Sequence, residues 1–266
     1  MRKHKLFLIV MLCAIALGGC KKREAIDLSS LHTTAAVEKE TLPASSDESV
    51  ATSEAESSES TAATTALTTT LAKETVGSAV IEYPVISNLK DSEKQEKANA
   101  LLKTNALAIA DVHPEGKLTV QAAVASVNQK RITVTYRGEL TNGSKTDRIF
   151  YANTIDLDTM KNLQLSDFTD PYTMAGYIAS GDYKLSDVSG SEDAIRNTLK
   201  GTVDSYYKRL QTADLTGGYT EDSTKSPAAD WPEIFSYEKQ GVVYVSLPVP
   251  AEQGGYVIIH YSPDNK

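Results

Sequence analysis

Asp156 and Asp158 stand one residue apart, with Asp167 and Asp170 close behind. An Asp-x-Asp pair offers hard oxygen ligands to a cation. It also suits a turn, because a short carboxylate accepts hydrogen bonds from the backbone just ahead of it. "DLDTMKN" follows an apolar alternation, as a turn does, so the turn is the stronger reading. A glycosidase would need two carboxylates converging from the fold, and no spacing here announces that. His32, His113 and His260 are scattered, and there is no HExxH, HxH or Cys/His cluster. Zinc therefore has no ligand set to read. No G-x-S-x-G and no phosphate loop is present. The expectation is a chain with no catalytic residues, metal site or bound cofactor. The 13 tyrosines outnumber 4 Phe and 1 Trp. Tyrosine combines a rigid apolar face with a polar tip and suits contact surfaces, although it is also a good strand residue.

The two cysteines, Cys13 and Cys20, belong to a different chemistry. Arg2, Lys3 and Lys5 precede an apolar run, Leu6 to Leu17, that is too short to cross a bilayer comfortably as a helix. A basic start and a short apolar stretch make the layout of a secretory signal. Leu17-Gly18-Gly19-Cys20 then puts small residues directly before a cysteine, and it resembles the lipobox of bacterial lipoproteins. That resemblance implies removal of residues 1–19 and a diacylglycerol on the sulfur of Cys20. Two acyl chains hold a protein stably where one binds only marginally. Neither cysteine is then left for a disulfide. The expected place is the extracytoplasmic face of a cell membrane, in a Gram-positive bacterium. Losing Arg2, Lys3 and Lys5 takes the formal charge from −8 to −11. So acidic a chain is a poor partner for nucleic acid.

The elements that must position any site lie further on. Residues 44–75 hold 15 Ser or Thr in 32 positions, with no aromatic and no apolar period. Such composition predicts disorder, so 20–78 is read as a tether with an average span on the order of 45 Å. Residues 79–266 are read as one domain, with 19 Lys and Arg against 25 Asp and Glu. Within it, 79–86 reads as a strand. Residues 91–110 read as a helix with a Ser92/Gln95 capping box and an Ala98, Leu101, Leu102, Ile109 face. Period-two patterns at 117–127, 131–140 and 147–157, with Asn142-Gly143 between the last two, predict an antiparallel meander. A helix is expected at 191–211, with Ser189/Glu192 as its capping box and Ile195, Leu199, Val203, Tyr206 and Leu210 as its stripe. Strands are expected at 234–249 and 255–262. This is α+β with a mostly antiparallel sheet and two main helices.

Three stretches together resemble a domain of unknown function. It is found at the N-terminus of PdaC-type peptidoglycan deacetylases and in the extracellular part of RsiV-type anti-sigma factors. "IEYPVISNLKDSEKQEKANALLK" (81–103) carries Tyr83, Pro84, Asn88, Leu89 and Asn99 of that pattern. "YANTIDLDTMKNLQLSDF" (151–168) matches its strand, turn and Leu-x-Asp-Phe entry, and 235–261 its closing hairpin, with Gly254 or Gly255 before the last strand. At 141–148 the chain departs, with "TNGSKTDR" where relatives often carry a Gly-Gly-Ala-His-like loop. The resemblance implies a binding or sensing module for wall glycan (peptidoglycan) or a lysozyme-like secreted wall-active protein. The rival expectation is an envelope hydrolase with a carboxylate site that no motif marks.

Overall fold

The computed structural model describes residues 66–221 and 226–262. The signal-peptide segment, Cys20, His32 and most of the expected tether lie outside them. The fold is α+β, with strands mostly antiparallel.

β1 (Thr68–Val76) and β2 (Ala79–Ser87) form a hairpin paired from Thr68–Ser87 to Val76–Ala79. Its turn holds Gly77 at φ 57°. β1 corrects the expected boundary at 78/79, because residues 68–76 belong to the sheet rather than to a tether. The cause is threonine, which unlike serine is β-branched and favours strands. β1 is an edge strand with Leu71 53% exposed, so its ladder holds it and no apolar period marks it.

α1 (Ser92–Val112) follows. Asp91, not Ser92, is its N-cap, accepting from Lys94 N at 3.0 Å. Gln95 Oε1 instead reaches back to Leu89 N at 3.1 Å. β3 (Lys117–Val127) lies parallel to β2, and β4 (Arg131–Asn142) and β5 (Lys145–Asp156) complete the expected meander. β6 (Lys161–Leu163) closes a sheet ordered β1-β2-β3-β4-β5-β6. Ile81, Ile86, Leu102, Ile109, Leu118, Ile132, Val134 and Ile155, all buried, fill the space between α1 and this sheet.

α2 (Leu165–Phe168), α3 (Pro171–Ser180) and β7 (Lys184–Ser186) carry no period long enough to read from sequence. The helix expected at 191–211 is two, α4 (Glu192–Thr198) and α5 (Val203–Leu210). The break is at Gly201, where a Cβ would stand 2.8 Å from the Tyr206 ring. Tyr206 Oη donates to Leu199 O, and Thr202 Oγ1 caps α5 from Ser205 N. Of the expected stripe, Ile195, Leu199, Tyr206 and Leu210 are buried and Val203 is half-buried. Ser191, not Ser189, caps α4. β8 (Phe235–Lys239), β9 (Val242–Pro248) and β10 (Tyr256–Tyr261) join β7 in a second sheet ordered β7-β10-β9-β8. Val243, Val245, Leu247, Val257 and Ile259 pack with residues of α3, α4 and α5. The opposite face sets Phe235, Tyr237, Tyr256 and Ile258 against Phe150 and Ala152 of β5. The layers therefore run helix, sheet, sheet, helices. Among the described residues no helix is long and apolar enough to cross a membrane.

Candidate functional site: an arginine cleft between the sheets

Three of the four aspartates do backbone work, and the fourth, Asp158, makes an ion pair. Asp156 Oδ1 accepts from Asp158 N (2.9 Å), Thr159 N (2.6 Å) and Thr159 Oγ1 (2.9 Å). Asp158 pairs with Lys94 at 3.3 Å. Asp167 completes a capping box on α2, and Asp170 caps α3 from Thr173 N at 2.8 Å. The turn reading holds, and no group of three or more His, Cys, Asp and Glu poised for a metal occurs among the described residues.

His113 ends α1, with Nε2 2.5 Å from Tyr151 Oη. Burial lowers its pKa and raises that of Tyr151, so neutral forms share the bond. His260 lies on β10 with Nε2 2.6 Å from Ser186 Oγ. Burial first, then Lys184, holds its pKa down. Tyr177, Asp182, Lys184 and Tyr244 surround it in an open hollow of about 370 Å³. A serine on a histidine is the start of a nucleophile set, but the histidine needs a third group to orient it. Among the described residues, no carboxylate hydrogen-bonds His260.

The cleft with the most directed chemistry involves residues that the sequence pattern did not single out. The β4–β5 hairpin turns at Gly143, φ 62°, and sets Arg137 opposite Phe150 and Glu139 opposite Arg148. Arg137 and Arg148 are thus diagonal neighbours on the face turned to the second sheet. Arg137 Nη2 donates to Asp187 Oδ2 at 2.7 Å, and its guanidinium lies 5.2 Å from the Phe150 ring centroid. Arg148 Nη2 donates to Tyr256 Oη at 3.0 Å, and its guanidinium stands 4.8 Å from that ring's centroid. The expected glycines before β10 explain this closeness. A Cβ at Gly255 would stand 2.5 Å from Arg148 O, and one at Gly254 would stand 3.2 Å from Arg148 Nη1. Only glycines at φ 103° and 79° let that turn rest on β5.

The cleft holds about 290 Å³ and is lined by Thr119, Gln121, Arg137, Glu139, Arg148 and Tyr256. A guanidinium carries five N–H donors in a planar fork, so both arginines keep donors free of the bonds just named. Their planes are fixed by aromatic rings and Asp187, which reduces the ordering cost of binding. Two oriented forks are matched by carboxylates; Gln121 and Thr119 add neutral polar groups beside them, and Glu139 accepts only from a donor that the occupant carries. The signal that could have found the pair is the hairpin at Asn142-Gly143, which puts Arg137 and Arg148 on one face. Asp187 and Tyr256 arrive from the other sheet, and no spacing encodes that.

No family model matches the chain, and no curated protein sequence matches it. Among solved structures, it is similar to a member of the DUF3298 family from Bacteroides fragilis, with TM-score 0.40 and 11% identity over 74% of this chain and 89% of that one. It is also similar to a DUF3298 family protein from Pseudomonas aeruginosa PAO1, with TM-score 0.36 and 11% identity over 73% of this chain and 89% of that one.

Proposed function

We propose that the chain is a non-catalytic surface lipoprotein, anchored through Cys20 on the extracytoplasmic face of a membrane. Its folded part binds wall material, and the arginine cleft takes the carboxylates that wall glycan carries on its peptide stems. The observation that supports this most is the pairing of Arg137 and Arg148, each braced by an aromatic ring, in one open cleft of an acidic domain. Arg137 is already paired with Asp187 and Glu139 lines the same cleft, so selection of a carboxylate rests on the oriented donors of the two guanidinium forks rather than on net positive charge. The polar remainder of the cleft suits peptide and sugar groups. A basic secreted wall-active protein, lysozyme-like in charge, is the second reading. It is favoured by the excess of 25 Asp and Glu over 19 Lys and Arg in residues 79–266.

The test is titration calorimetry of the full chain in detergent micelles with soluble muropeptides. Arg137→Ala and Arg148→Ala should each weaken binding about 10-fold or more, the worth of one charge-assisted hydrogen bond. Undiminished affinity in both would remove the cleft as the site.

A further inference from the structure

A second cavity, on the α1 side of the first sheet, has a polar floor that the arginine cleft does not explain. Asn105 of α1, Asn153 of β5 and Asn162 of β6 form a triangle, 3%, 5% and 8% exposed. Asn105 Nδ2 donates to Asn153 Oδ1 and to Asn162 Oδ1, both at 2.9 Å. Asn153 Nδ2 donates to Asn162 Oδ1 at 3.0 Å, and Asn162 Nδ2 to Thr216 O at 3.2 Å. Both hydrogens of the Asn105 amide are therefore engaged within the triangle. Its Oδ1 has no donor among the described residues, and it is not among the side-chain atoms that are both unpartnered and sealed from solvent. Asn105 lines a cavity of about 190 Å³ together with Leu101, Thr104, Asn162, Tyr219 and Thr220. Gly217 and Gly218 fix one wall, where a Cβ on Gly218 would stand 2.3 Å from Met160 O.

We infer that this cavity is a binding site for the acetamido group of an N-acetylated sugar. The reasoning rests on residues distinct from the arginine cleft and stands without it. An unpartnered amide carbonyl costs roughly 1–3 kcal/mol when deprived of water, so the occupant must bring an N–H or O–H donor. Among the described residues no Asp, Glu, Lys or Arg lines the cavity, and the nearest named cation, Lys97, stands 6.0 Å from the Tyr219 ring centroid, so a neutral polar occupant fits best. The hydroxyls of Thr104 and Thr220 answer ring hydroxyls, and Leu101 with the Tyr219 ring offers apolar surface to a methyl or a sugar face. The volume falls below the roughly 300–1,000 Å³ usual for larger ligands, so one acetamido group and part of its ring enter, not a chain.

The experiment is side-chain amide NMR on the isotopically labelled full chain in detergent micelles, titrated with N-acetylglucosamine and, separately, with glucose. The signals of Asn105 and Asn162 should shift saturably with N-acetylglucosamine, and glucose should bind at least about 5-fold more weakly. Thr104→Val, isosteric and outside the triangle, should weaken the response several-fold while leaving the asparagine signals dispersed. No saturable shift up to about 50 mM, an equal response to glucose, or unchanged affinity in Thr104→Val would overturn the inference.

Discussion

Asp214 is the most exposing test of the packing described above. It sits 3% exposed between α5 and β8, in a left-handed conformation at φ 69°. Its carboxyl meets Ser236 N and Ser236 Oγ, each at 2.5 Å, and Leu165 N. Burial outweighs those donors and pushes its pKa from 3.8 up to about 7. The unfolded chain therefore ionises this group near its ordinary value while the folded chain keeps the proton up to about 7. Stability from this group is complete below about 4 and is lost as pH rises through about 7. About three pKa units at ~1.4 kcal/mol each set an upper value of ~4 kcal/mol. Asp214→Asn keeps the shape, stays neutral at every pH and tolerates the left-handed backbone. Urea unfolding read by the fluorescence of the single tryptophan, Trp231, gives both pH profiles. Between about pH 4 and 7.5 the variant should gain ~2–4 kcal/mol on the wild type. Parallel profiles would refute the reasoning, because Asp214 would then be ionised in the fold at its ordinary pKa.

Three other outcomes follow from particular contacts. A chain starting at residue 79 loses β1 and its ladder along β2, and should unfold at lower urea than one starting at 66; equal midpoints would return 68–76 to the tether. Gly218→Ala drives a Cβ to 2.3 Å from Met160 O and should cost ~2 kcal/mol or more, read by thermal unfolding. Cys20→Ser should leave the precursor unprocessed or release the protein from membranes, and a mature-sized variant still fractionating with membranes would contradict the anchor.

The elements legible in the sequence were those whose burial imprints a period. Leu118, Val120 and Ala122 alternate because one face of β3 meets α1, and Gly143 sets the turn that follows β4. β1 was hidden because an edge strand buries too little to show alternation. The break at Gly201 was hidden because one apolar stripe continues across α4 and α5, and only the Tyr206 ring packed at Gly201 reveals the stop. Asp156 was legible as a turn residue because its partners are local; the caps made by Asp167 and Asp170 went unread because α2 and α3 show no period. Asp187 and Tyr256 were not legible, because they meet Arg137 and Arg148 across the interface between two sheets. The asparagine triangle is dispersed for the same reason: Asn105 comes from a helix and Asn153 and Asn162 from two strands.

The measurement that bears most directly on the binding reading is a salt series of muropeptide titrations on the full chain, with the ligand recovered and weighed by mass spectrometry afterwards. The reading predicts saturable binding that weakens as salt screens the guanidinium–carboxylate attraction. It also predicts binding at least about 10-fold weaker in Arg137→Ala and Arg148→Ala, with the muropeptide recovered intact. No binding at low salt, or a ligand returned shortened by hydrolysis, would contradict it.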